Sequence, residues 1–310
     1  MEPLGATLAE RFQLPCVHAW WTPMLAARDF LFASSETAPP RLPGWANRAV
    51  FLAFDQAPWL TFRRALRPPR ALYELPAAPY TLAQRRAVAR CETLLLAYSE
   101  ALLPRSREWP ANVETTGWRF LEDGASWTPP SELERFLAAG PTPTYVGFGS
   151  MAFREPDARR LTRSCAPSRR LARAVLSAGW GGLVRGHLPP TVFPLDEAPH
   201  DWLFPRMAAI VHHGGAGTTG AALRAGKSSV VTPFIVDQFA WASLLAERGL
   251  APAPLPHRTL TADALAAAIK TALDNSALRE RAAAIGSTVQ AENGLARAVT
   301  AIERTARARP

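Results

Sequence analysis

The sequence predicts an α/β protein built on parallel sheets and divided into two domains. Three observations predict it. From residue 144 onward, short apolar strands alternate with helical stretches, the rhythm of parallel strands joined by crossover helices. Several of those strands are continuous apolar runs, as in a sheet covered on both faces. The length of 310 residues suits two domains at roughly 150 residues each. The boundaries read as 1–125 for a partial first domain, 126–143 for a linker and 144–310 for the second domain.

Residues 1–123 have the looser pattern. Aromatic stretches around Trp20, Trp21, Phe51, Phe54 and Trp59 are broken by Pro39, Pro40, Pro58, Pro68 and Pro69. A helix is expected at 81–90, then a buried strand at 93–98, where Leu94, Leu95 and Leu96 run together. A further strand is expected at 113–117. Residues 126–142 set Pro129, Pro130 and Pro141 around a short amphipathic piece at 132–139, which reads as an inter-domain linker. Beyond it, strands are expected at 144–148, 182–185, 208–212 and 229–232. Helices are expected at 157–177, kinked by Pro167, and at 218–225, 239–248, 261–273 and 277–291.

Composition narrows the function. With 48% hydrophobic and 20% charged residues, the chain is globular rather than disordered. The net charge is +9, but Lys227 and Lys270 are the only lysines, so 35 − 2 = 33 of the cations are arginines. With the abundant alanine, that bias suits GC-rich coding and weakens any nucleic-acid reading. Seven arginines within 154–173 lack interleaved aromatics and read as a solvated face. Cys16, Cys91 and Cys165 form no C-x-x-C pair, which argues against a disulfide framework or a zinc site and for a reducing compartment. Neither a signal peptide nor a membrane span is legible, so a cytoplasmic location is expected.

The informative run is 208–226. An apolar strand ends in His212 and His213, then come Gly214, Gly215 and Gly217, then Thr218 and Thr219 opening a helix. Such glycines admit close backbone approach, and a helix N-terminus offers free N–H groups to a phosphate. The same glycines also suit a bare strand-to-helix turn. The run is neither Gly-x-Gly-x-x-Gly nor a P-loop. A second loop, Gly147-Phe-Gly-Ser-Met151, follows the 144–148 strand, and a third strand end carries Asp237-Gln238. Ligands of parallel sheets bind outside the carboxyl ends of the strands. A carboxylate and an amide there suit sugar hydroxyls, although an aspartate before a helix is also an ordinary N-cap.

Five segments together resemble the nucleotide-sugar glycosyltransferases of GT-B fold. They are His212-His-Gly-Gly-Ala-Gly-Thr-Thr219, Asp237-Gln238, Val146-Gly-Phe-Gly-Ser-Met151, Gly179-Trp-Gly-Gly-Leu183 and Pro199-His-Asp-Trp-Leu-Phe-Pro-Arg206. The resemblance is nearest to the branch of sterol glucosyltransferases and the bacterial enzymes that glycosylate glycopeptide and macrolide aglycones. It covers nearly all of 144–302 and extends more weakly into 2–123. It implies two Rossmann-like parallel-sheet domains facing a cleft, the N-terminal one incomplete.

By that resemblance His213 contacts the donor diphosphate. Gly215, Gly217, Thr218 and Thr219 wrap the phosphates, with Gly149 and Ser150 on the other side. Asp237 and Gln238 hold the sugar hydroxyls, and Pro199, His200 and Leu203 lie in the segment lining the nucleobase. Trp180 and Trp202 read as core aromatics. The implied reaction moves a hexose from a UDP- or dTDP-sugar to a hydroxyl of a lipophilic acceptor, a sterol or polyketide, with inversion. No metal or other cofactor is implied; the nucleotide sugar is a co-substrate. The expected partners are the nucleotide sugar and a small lipophilic acceptor.

Two features depart from the family pattern. Lys227-Ser228 and Ile235-Val236 stand where smaller or apolar residues are usual. The family's opening strand, glycine loop and general base are also not found, so an N-terminally truncated chain is expected. His18, Asp29 and Asp55 read as structural and no catalytic residue is assigned. The alternative is a non-catalytic nucleotide-sugar-binding remnant.

Overall fold

The computed structural model describes residues 3–30, 42–65, 67–76, 93–151, 173–177 and 188–307. Contacts divide the chain into two compact units. The first takes the described residues up to Arg119 and again from Glu292; the second runs from Phe120 to Ala291. Among the described residues, no helix is long and apolar enough to cross a membrane.

The first unit holds helix α1 (Pro3–Phe12), strand β1 (Val17–Trp20), helices α2 (Gly44–Ala65) and α3 (Arg67–Leu72), and strands β2 (Thr93–Leu96) and β3 (Val113–Thr115). Helix α1 stops where Gln13 adopts φ 55° and Leu14 N–H donates to Ala9 O, with Pro15 barring continuation. Arg70 of α3 is buried and makes a two-point ion pair with Glu10 of α1, at 2.8 and 3.0 Å. The sheet is parallel in the order β1-β2-β3, with Ala19 beside Leu95 and Leu95 beside Glu114. The last helix, α10 (Gly294–Arg307), lays Ala298 and Ala301 on Leu95.

The second unit contains α4 (Ser131–Ala138), β4 (Thr144–Val146), β5 (Ala174–Ser177), β6 (Val192–Leu195), α5 (His200–Leu203), β7 (Ile210–His212), α6 (Ala216–Arg224), β8 (Ser229–Val231), α7 (Asp237–Glu247), α8 (Ala262–Asp274) and α9 (Ser276–Ala291). Its five strands are all parallel, in the order β6-β5-β4-β7-β8. The order turns back between β4 and β7, and there lies the switch point at which doubly wound sheets open a crevice.

Alternate strand residues feed two cores. Val146, Leu176, Val211 and Val230 meet Leu265 and Ile269 of α8 on one face. Tyr145, Val175 and Ile210 meet Leu133, Leu203, Phe204 and Ala222 on the other. Both faces are therefore covered, which explains strands apolar throughout. Helix starts follow local chemistry. Thr261 Oγ1 accepts from Ala264 N–H before α8, Asn275 Oδ1 from Leu278 N–H before α9, and Asn293 Oδ1 from Ala296 N–H before α10.

Several expectations differ from this architecture. Residues 174–177 form a strand, not a helix end, because Ala-Val-Leu-Ser is a buried run too short for periodicity to decide. Strand β6 was not expected because it contains Pro194; as the edge strand it tolerates a residue without an N–H. Likewise α2 continues through Pro58. The segment read as a linker holds α4, whose Leu133 is fully buried in the second unit's core. The second domain was drawn to residue 310, whereas residues from Glu292 pack with the first unit through Ala298 and Ala301. The helix expected at 81–90, most of the one at 157–177 and the strand at 182–185 lie outside the described residues, as does the 179–183 motif.

Candidate active site

Each strand end at the switch point contributes a loop, and side-chain contacts bring three loops together. After β4, Phe148 O accepts from Met151 N–H and closes a turn through Gly149 and Ser150, both exposed. Gly149 has φ +59°, a left-handed conformation that favours glycine, and a Cβ there would lie 3.1 Å from His213 Cε1. After β7, a Cβ on Gly215 would lie 2.4 Å from His213 Nε2. The imidazole of His213 is thus seated between two glycines of different loops. After β8, the Gln238 side chain binds back. Its Oε1 accepts from Phe234 N–H at 2.8 Å and Ile235 N–H at 3.2 Å, and its Nε2 donates to Met151 Sδ of the β4 loop at 3.4 Å.

Gly214 completes the cluster. Its φ is +87°, and a Cβ would meet Val231 Cγ1 at 2.8 Å and Gln238 O at 3.0 Å. Gly149, Gly214 and Gly215 are therefore explained by packing against His213, Val231 or Gln238. Gly217 is not: among the described residues nothing lies within 4 Å of its Cβ position, and it is exposed in the first turn of α6.

Helix α6 opens at Ala216, two residues before the expected start, with Gly215 at its N-cap and no side chain capping it. The amides of Gly217 and Thr218 in its first turn have no intrahelical partner. Thr218 lies in that turn, half-buried. Thr219 differs from expectation: it is fully buried and its N–H donates to Gly215 O, so it supports the turn from behind.

His213 Nδ1 is buried with no hydrogen-bond partner among the described residues. Burial first, and then the nearby His200, push the His213 pKa down to about 4, so the ring is neutral at pH 7. His200 opens α5. Its ring stacks on Phe204 at 4.2 Å and stands edge-on to Tyr145 at 6.3 Å. Burial lowers its pKa too, against an opposing pull from Asp201. Pro199 precedes it, while Leu203 is buried in the core and faces no opening.

Asp237 is the first residue of α7. Burial raises its carboxyl pKa; hydrogen bonds from its own backbone and from the Trp241 side chain hold the rise back. Val236 before it has φ +39°, a strained conformation for a β-branched residue, and Ile235 and Val236 are both exposed. Arg206 is exposed and lies over Trp202 at 4.1 Å. Tyr145 is a core residue beneath the β4 loop, its hydroxyl against the position a Cβ on Gly147 would take.

In the first unit, His18 and Asp29 are engaged locally. His18 Nε2 lies 3.6 Å from Cys16 Sγ, and Asp29 Oδ2 accepts from Ser106 Oγ at 2.6 Å. Asp55 lies within α2.

Residues 176–302 match the erythromycin biosynthesis protein CIII-like family, C-terminal domain. A sterol 3-beta-glucosyltransferase of Arabidopsis thaliana is 37% identical over 205 residues, which are 66% of this chain and 32% of that protein. In sequence the chain is thus similar to sterol glucosyltransferases. A sterol 3-beta-glucosyltransferase of Neosartorya fischeri is 32% identical over 314 residues, 97% of this chain and 22% of that one. The chain spans about a third or less of the length of these relatives. Among solved structures, the glycosyltransferase of kitacinnamycin superposes with TM-score 0.70 at 20% identity, covering 97% of this chain and 73% of that one. The calicheamicin glycosyltransferase gives 0.66 at 19% identity, covering 99% and 71%. These two likenesses establish the GT-B fold.

Proposed function

We propose that the chain belongs to a hexosyltransferase that takes a nucleoside-diphosphate sugar, UDP-glucose or a dTDP-sugar, and glycosylates a hydroxyl of a lipophilic acceptor with inversion. The observation that carries this reading is the meeting of three strand-end loops at the switch point, with His213 seated between Gly149 and Gly215. The diphosphate lies against the first-turn amides at Gly217 and Thr218, with His213, Gly149 and Ser150 around it and Thr219 behind. Donated hydrogen bonds to the leaving diphosphate stabilise charge that grows during transfer. Asp237 binds sugar hydroxyls, and Gln238, buried and bonded at both ends of its amide, holds the loop rather than the sugar. His200 lines the nucleobase side. Three scattered cysteines suit a reducing compartment, and we place the reaction in the cytoplasm. The sterol glucosyltransferase relatives make a sterol the first acceptor to try.

The purified chain, given UDP-glucose or dTDP-glucose with sterol, flavonoid and macrolide acceptors, is assayed for release of nucleoside diphosphate. No general base has been assigned, and such a base typically contributes about 10²–10⁴-fold. The expected result is donor binding with turnover far below the roughly 10 s⁻¹ of a median enzyme. Turnover near that rate would show that the chain itself supplies such a base. Absence of donor binding would remove the proposal.

A further inference from the structure

His212 ends β7 and is fully buried. It is not among the residues that surround the proposed donor, yet it is bonded to the loop that is. Its Nδ1 accepts the backbone N–H of Gly214 at 3.1 Å. An accepting Nδ1 fixes the tautomer, with the proton on Nε2. That Nε2 is buried with no hydrogen-bond partner among the described residues. The ring is therefore held by one bond, to the residue following His213.

Gly214 is where the loop turns. Its φ of +87° swings the chain from the strand into α6 and packs it on Val231 and Gln238. His212 O also accepts from Thr232 N–H, so the residue is anchored to β8 on its backbone side. The imidazole acts as a strut from that anchored strand end to the turn. We propose that His212 is a positioning residue: its Nδ1 holds the Gly214 N–H and so fixes the orientation in which the loop presents His213. The functional half of this proposal rests on the donor-site reading above.

Geometry separates this from a plain packing role. Asparagine places Oδ1 where histidine places Nδ1, each three bonds from Cα, and can accept the same N–H. Glutamine reaches instead to the Nε2 position. Leucine fills volume and accepts nothing. The full-length variants His212→Asn, His212→Gln and His212→Leu are compared with the wild type, with urea unfolding as the check on folding.

Two readouts are taken. The first is hydrogen exchange at the Gly214 amide, which needs no ligand. The second is UDP and dTDP affinity by calorimetry. Exchange at Gly214 is expected to quicken by about tenfold or more in the Gln and Leu variants and to stay near wild type in Asn. Nucleotide affinity is expected to fall roughly five- to tenfold in Gln and Leu, the worth of one hydrogen bond, and to be retained in Asn. If Asn and Gln behave alike in both readouts, or if Leu exchanges as slowly as wild type, the proposal is overturned. If the exchange pattern holds but the wild type binds neither nucleotide, the donor-site reading fails while the strut to Gly214 stands.

Discussion

At the residue scale, the glycine signature separates into parts with different causes. His213 occupies the space that side chains on Gly149 and Gly215 would need, and Gly214 is required by its own φ. None of this needs a ligand, so a bare turn and a phosphate site share most of the signature. Sequence therefore found the residues without showing which task each performs. Thr219 illustrates the limit: it is adjacent to Thr218 in the motif but one helical step further round, and it turns into the core. No described residue requires a glycine at 217, which makes Gly217→Ala informative. The fold is expected to gain up to about 1 kcal/mol from the better helix former, while nucleotide affinity falls because the new methyl stands where the ligand backbone contact forms. Thermal unfolding and calorimetry on one preparation read both signs; unchanged affinity would take Gly217 out of the site.

Protonation is argued at the same scale. Burial, then the nearby His213 and His200, lower the His212 pKa to about 3, and the ordinary value is about 6.5. Below pH 6.5 the unfolded chain takes a proton that the folded chain refuses until about pH 3. Stability from this group is present above pH 6.5 and is lost as pH falls through that window, at about 1.4 kcal/mol per pH unit. Between pH 7 and pH 5 the wild type is expected to lose about 2 kcal/mol more than His212→Asn, from urea unfolding at both pH values. A gap between the two proteins that does not change with pH would contradict a buried neutral His212.

At the scale of elements, the strands and helices from residue 144 were largely legible because their patterning is local. What escaped was set by neighbours. Pro194 is acceptable because β6 is an edge, and β5 is a strand because β4 and β6 flank it. The partner of α10 was also beyond local pattern. Ala298 and Ala301 rest on Leu95, some 200 positions earlier, and Thr93 Oγ1 meets Thr305 Oγ1 at 2.8 Å. Helices α6 and α9 approach closely through glycine. A Cβ on Gly286 would lie 2.7 Å from Gly226 Cα and 2.9 Å from Leu223 O, and backbone cannot step aside cheaply. Gly286→Ala is expected to destabilise by about 1–3 kcal/mol, measured by urea unfolding. An unchanged midpoint would show that the helices can part at that crossing.

At the scale of the molecule, the second unit is a doubly wound sheet whose strand order reverses between β4 and β7, and the three loops around that reversal hold the proposed donor site. In the first unit's parallel sheet β2 and β3 were legible as short strands, whereas β1, four residues only partly buried, was not. The central claim is that the loops at the switch point bind a nucleoside diphosphate through His213. Calorimetric titration of UDP and dTDP into the full chain, wild type and His213→Ala, tests it most directly. The account expects saturable one-site binding in the wild type and a loss of about 1.5–3 kcal/mol in the variant, the worth of a hydrogen bond to a charged group. Equal affinity in the two proteins, or no binding by the wild type, would contradict it.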